Sequence, residues 1–126
     1  MTMIFPNLPV KDVEKSKRFW TALGFSFNDD FSSEDAACLV INESASVMLL
    51  SERFFHSFHD TTPHTGTEIL MGLGVASREE VDRLCEAATS AGGQGSSTRQ
   101  EDGPMYGGSF TDPDGHIWEP LWMEMA

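Results

Sequence analysis

The order strand, helix, strand, strand, strand can be read twice along this chain, and that repetition restricts the fold more than any single motif does. The first copy opens with a strand expected over Met3 to Val10, where Pro6 and Pro9 suit the edge of a sheet. Asp12 is placed to cap a helix in which Val13, Ser16, Phe19 or Trp20 and Leu23 recur at helical spacing, and Gly24 ends it. Three short strands are predicted next, near Phe25 to Asn28, Ala36 to Ile41 and Ser46 to Leu50, with Asn42-Glu43-Ser44 joining the last two. In the second copy Ile69, Met71, Leu73 and Val75 alternate with Glu68, Leu70, Gly72 and Gly74 as a strand. Ser77-Arg78-Glu79-Glu80 reads as a capping box, Val81, Leu84, Cys85, Ala88 and Ala91 form one apolar stripe, and Gly92-Gly93 stops the helix. Strands are predicted around Ser97 to Gln100, at Met105 to Thr111 and at His116 to Trp122. Val10 and Val75 hold the corresponding strand-to-helix junctions, so an internal duplication is expected.

At 126 residues, with 40% hydrophobic and 22% charged residues, the chain is expected to form one domain with a packed core. Within it, module one spans 1–50, a connector 51–66 and module two 67–126. No apolar run approaches the roughly 20 residues of a membrane span, and the N-terminus lacks the pattern of a signal peptide, so a cytoplasmic protein without a membrane partner is expected. The formal charge of −12, from 20 acidic and 8 basic residues, repels a polyanion, and no basic cluster offers an exception. Nucleic acid is therefore excluded as a partner, and the balance tilts a small ligand towards neutral or cationic compounds. Cys38 and Cys85 lie in apolar patterns without C-x-x-C spacing and read as buried free thiols.

Chemistry concentrates near the C-terminus. In Asp112-Pro113-Asp114-Gly115, Asp112 can open a turn through its side-chain acceptor, Pro113 presets φ, and Gly115 accepts the positive φ that closes the connection. Beyond it, His116, Trp118, Pro120 and Trp122 alternate with Ile117, Glu119, Leu121 and Met123. Glu119 thus shares a strand face with apolar residues. It either points at water or is held there for a function, because a carboxylate without a partner in an apolar setting is costly.

The early stretch Leu8-Pro9-Val10-Lys11-Asp12 through Phe19-Trp20 to Leu23-Gly24-Phe25, followed late by Asp112-Pro113-Asp114-Gly115-His116-Ile117-Trp118-Glu119, resembles the vicinal oxygen chelate superfamily of glyoxalases, extradiol dioxygenases and bleomycin resistance proteins. It is most similar to small predicted lactoylglutathione lyase-like members, which also share features of Ala36-Ala37-Cys38, Val47-Met48-Leu49-Leu50 and Phe54-Phe55. The resemblance implies an α+β fold, in which two tandem βαβββ modules form a cupped, incomplete barrel-like mixed sheet with helices on the outer face. It also implies a homodimer. In metal-dependent members four side chains from matching strands hold a divalent ion, and these positions fall here on Phe5, on or near Leu49, on or near Leu70, and on Glu119. One carboxylate among Phe and Leu does not supply the ligands a catalytic ion needs. No cofactor is therefore expected, and if any divalent metal binds, Glu119 is its ligand.

On this reading the cupped face carries a small-molecule site formed by Phe5, Asn7, Leu49, Leu70, Gly72, Met105, Gly107, Ser109 and Leu121 around Glu119. Without an ion, Glu119 is suited to pairing with a cationic ligand or to general acid or base catalysis. It can equally be a remnant hydrogen-bonded to Ser109 or water. A metal-dependent glyoxalase-type lyase or dioxygenase with other ligands is the alternative, and His56, His59 and His64 in the aromatic connector are a separate zinc candidate.

Overall fold

The structure, a computed structural model, describes residues 2–59 and 66–124. The fold is mixed α+β, and the chain divides into two compact units, Met1–Thr65 and Gly66–Ala126.

In the first unit β1 (Asn7–Val10) leads into α1 (Val13–Ala22), followed by β2 (Ser26–Phe27), β3 (Ala36–Asn42), β4 (Ala45–Ser51) and α2 (Glu52–Phe58). Asp12 starts α1 as its position predicts, its carboxylate accepting the Lys15 N–H at 3.1 Å. Val13, Ser16, Phe19 and Trp20 form the buried stripe, and Gly24 leaves the helix with φ +98°. The sheet order is β1-β4-β3-β2, with β1 parallel to β4 and the remaining pairs antiparallel. Only four residues of the expected first strand pair: Pro6 has no N–H, and its carbonyl accepts the Met48 N–H at 2.8 Å where β1 begins. The β3–β4 loop is also shorter than expected, because Asn42 pairs with Ala45 and only Glu43 and Ser44 turn. The connector contains α2, whose cap Ser51 is the last residue of β4 and accepts the Phe54 N–H at 3.2 Å. The same hydroxyl donates to Asp35 at 2.9 Å, and together with Arg53 it holds the Asp35 carboxyl below its ordinary pKa.

The second unit runs β5 (Leu70–Gly74), α3 (Arg78–Ser90), β6 (Gln94–Gly95), β7 (Gln100–Asp102), β8 (Met105–Gly107), β9 (Phe110–Thr111) and β10 (Ile117–Met123). β10 pairs in parallel with β5 on one side and antiparallel with β8 and β9 on the other, and β7 and β6 lie outside these. This is the strand order of the first unit, with β8 and β9 in the place of β3. The single strand expected over Met105 to Thr111 is divided because Pro120 opposite Gly108 has no N–H to give. The Gly108 N–H still donates to the Pro120 carbonyl at 3.0 Å, so the register carries through the gap and sets Ser109 opposite Glu119. The strand expected around Ser97 to Gln100 does not form there: Ser97 to Arg99 are irregular, and the strands lie on either side, with β6 ending at Gly95 and β7 beginning at Gln100.

Ser77 caps α3 by accepting the Glu80 N–H at 3.1 Å, but the capping box is half made, since the Glu80 carboxylate turns to Arg83 at 2.6 Å and 2.7 Å. Val81, Leu84, Cys85 and Ala88 bury the helix against the sheet. The approach is closest at Gly95, where a built Cβ would collide with the Cys85 carbonyl. Arg78 at the first turn stacks 5.0 Å over Tyr106 and 5.1 Å over Trp122. These contacts leave the opposite face of the sheet free of the helix.

Candidate functional site on the second sheet

The Asp112 turn sets the start of β10. Its Oδ1 accepts the Asp114 and His116 N–H groups at 2.9 Å and 3.0 Å, and Gly115 closes the turn with φ +86°. The other carboxylate oxygen accepts the indole N–H of fully buried Trp118 at 3.0 Å, and that ring stacks on Phe110. Burial raises the Asp112 pKa, against the opposing influence of His116 and these hydrogen bonds. With Trp118 and Pro120 fixed on the helix side, alternation turns Ile117, Glu119 and Leu121 to the free face.

Glu119 is half-buried there, and its carboxylate forms no hydrogen bond or ion pair with any described residue. The hydrogen bond to Ser109 allowed by the sequence is not made, although the two side chains oppose each other in register. Gly72 is its parallel partner on β5, and a Cβ built at Gly72 or at Gly74 meets nothing within 4 Å. Neither glycine has a positive φ. A concavity of about 160 Å³ opens over this pair, lined by Gly72, Gln100, Met105, Gly107, Glu119 and Leu121. A built Cβ at Gly107 would come within 3.4 Å of the Leu121 side chain, so this glycine seats a wall of the hollow.

Of the residues anticipated for the site, Gly72, Met105, Gly107, Glu119 and Leu121 therefore line one hollow. Ser109 shares its sheet face, and so does Leu70, 53% exposed and paired with Ile117. Phe5, Asn7 and Leu49 belong to the first unit. Phe5 is half exposed ahead of β1, and its carbonyl accepts the Asn7 amide at 2.7 Å. Leu49 requires a correction. It pairs with buried Leu8, is 0% exposed, and lies on the face opposite to Asn7, whose partner is Met48. The error is one residue along a strand, which inverts the face. Gln100 was not anticipated, because the irregular Ser96–Arg99 segment hides the phase of β7.

The pairings also test the fit of a metal. Asn7 and Gly72 stand in the same relation to Val10 and Val75, and their partners are Met48 and Glu119. In the first unit the pair supplies an amide and a thioether, in the second no side chain and one carboxylate, and neither pair by itself offers the ligands a catalytic divalent ion needs. Among the described residues no three His, Cys, Asp or Glu side chains are grouped to hold a metal. His56 lies in α2 and His59 caps its end, while His64 is outside the described residues.

The chain belongs to the glyoxalase/bleomycin resistance protein/dioxygenase superfamily, whose sequence profile matches residues 3–119. It is similar to hypothetical protein SA1046 from S. aureus, with 32% identity and a TM-score of 0.83 over 97% of this chain and 93% of that one. A family enzyme from Burkholderia phytofirmans PsJN shares the fold at 17% identity, TM-score 0.83, over 95% and 97% of the two chains. The bleomycin resistance determinant encoded on transposon Tn5 does so at 18% identity and TM-score 0.67, over 99% and 100%. No match is found among curated proteins. Among the described residues, no helix is long and apolar enough to cross a membrane.

Proposed function

We propose that the free face of the second sheet binds a small apolar or cationic molecule without a metal, with Glu119 as the polar anchor and Gly72 leaving room beside it. The observation that carries this reading is a carboxylate without a partner among the described residues, facing space that the adjacent glycine leaves open. Leu121 and Met105 supply apolar wall, and an ammonium group supplies the hydrogen-bonded countercharge that Glu119 lacks. A binder of this kind stands nearer to the resistance proteins of the superfamily than to its lyases and dioxygenases, and the donor set speaks against a lactoylglutathione lyase mechanism that uses an ion.

The reading includes a homodimer in the cytoplasm. Exposed Phe54 and Phe58, whose rings meet at 5.0 Å, together with Phe31 at 67% exposure, are apolar surface that a second copy would cover.

Calorimetry with phenethylamine and its neutral counterpart 2-phenylethanol tests the anchor. The amine should bind about tenfold more tightly, as expected for one charge-assisted contact, and Glu119→Gln should remove that preference. Equal binding of amine and alcohol by the unaltered protein, or a preference untouched by Glu119→Gln, would remove Glu119 from the site.

A further inference from the structure

A second hollow, of about 240 Å³, is lined by Gln94, Ser96, Ser109, Phe110, Thr111 and Ile117. The strand register makes it an extension of the same face. Gln94 pairs with Thr111 and Thr111 with Ile117, while the Ser96 N–H donates to the Ser109 carbonyl at 2.9 Å. Ser109 lines this hollow, Glu119 lines the first, and the register sets the two residues opposite each other. Facing side chains in such a pair have Cβ atoms about 5 Å apart, a span that one small molecule bridges.

The two hollows differ in chemistry. Around Gly72 one carboxylate and the Gln100 amide stand among apolar side chains, whereas among the described residues no ionisable side chain lines the second hollow. Ser96 is already engaged with the Thr98 hydroxyl at 2.8 Å. The hydroxyls of Ser109 and Thr111 and the amide of Gln94 form no hydrogen bond with any described residue. Each can both donate and accept, which matches a neutral group that does the same.

We infer that this hollow is a second subsite, taking an uncharged carboxamide or hydroxyl arm of the molecule whose cationic group rests on Glu119. The inference builds on the proposed function and narrows the ligand to an amphipathic amine with a neutral hydrogen-bonding arm. Apolar bulk lies towards Gly72 and Leu121, the ammonium over Glu119, and the arm over Ser109 and Thr111.

Phenethylamine and phenylalaninamide differ by the carboxamide alone, so an amide-resolved NMR titration of the full chain with each separates the subsites. Phenethylamine should move the signals of Gly72, Glu119 and Leu121. Phenylalaninamide should move these together with Gln94, Ser96, Ser109 and Thr111. Ser109→Ala/Thr111→Val should weaken phenylalaninamide about fivefold, the worth of one neutral hydrogen bond, and leave phenethylamine within about twofold. Its own spectrum reports whether that variant is folded, and Ser109→Ala alone replaces it if it is not. Phenylalaninamide shifts confined to the Glu119 hollow, or no selective weakening in the variant, would overturn the subsite while leaving the proposed function intact. Shifts confined to Gln94, Ser109 and Thr111 would support the subsite and remove the anchor, and no shift from either amine would overturn both.

Discussion

Glu119 and Gly72 are partners in the parallel pairing of β10 with β5, and the glycine leaves the space beside the carboxylate empty. Glycine is a poor strand residue, and neither a positive φ nor a close neighbour requires it at this position. Room for a ligand is the remaining physical benefit. Gly72→Val should therefore raise stability by about 0.5–1 kcal/mol in chemical denaturation, through lower chain entropy and higher strand propensity, while weakening phenethylamine binding. A variant that is more stable and binds as well as before would show that the space is not used.

Gly95 is the opposite case. Its Cβ position is taken by the Cys85 carbonyl, and its N–H donates to the Thr89 hydroxyl at 2.8 Å. Gly95→Ala should force β6 and α3 apart and lose about 1–3 kcal/mol, the usual cost of overpacking. Gly74→Ala serves as the control, since a Cβ there meets nothing within 4 Å. Equal stability of the two variants by urea denaturation would contradict the close helix–sheet approach.

Asp112 ties the turn to the core through Trp118. Asp112→Ala removes an acceptor from a fully buried indole N–H and from two turn N–H groups, and should cost about 2–4 kcal/mol. Asp112→Asn keeps an acceptor for the turn but cannot titrate, which allows a pH test. The folded pKa of Asp112 is raised by burial, so between its unfolded value and its folded value the native state holds more protons than the unfolded state. Its contribution is full below about pH 4 and is lost as pH rises through the folded value. The lowered carboxyls of Asp35, Glu80 and Asp82 have the other sign: their stabilisation is present above the unfolded values and is lost as pH falls through the folded ones. The stability advantage of the unaltered protein over Asp112→Asn should therefore shrink from about pH 4 upward. An advantage that grows with pH would contradict the raised value.

The exposed rings of Phe54 and Phe58 lie on consecutive turns of α2. Sedimentation velocity should find two copies per particle at micromolar concentration, and Phe54→Ser/Phe58→Ser should shift the population to single chains. A concentration-independent single chain before substitution would remove the dimer from the account.

The duplicated strand order and the caps at Asp12, Ser77 and Asp112 were legible in the sequence because each rests on local chemistry. What escaped depended on pairing between distant residues. Leu49 and Met48 are equally apolar, and only the parallel register with Leu8 and Asn7 shows which of them is buried beneath the sheet. Gln100 escaped because the irregular Ser96–Arg99 segment ahead of β7 hides the phase of that strand. α2 was missed because its cap, Ser51, is also the last residue of a strand, and a helix of 7 residues carries too little periodicity to stand out. Glu119 itself was legible by alternation, although its lack of a hydrogen bond to Ser109 was not.

Calorimetry of chelator-treated protein with phenethylamine tests most directly whether this face binds its ligand through Glu119 without an ion. Metal-free protein should bind the amine with the same affinity before and after addition of zinc, nickel or manganese, and Glu119→Gln should lose about 1.4 kcal/mol of that binding in either condition. Binding that appears only when one ion per chain has been taken up, with Glu119→Gln abolishing the uptake, would contradict the account.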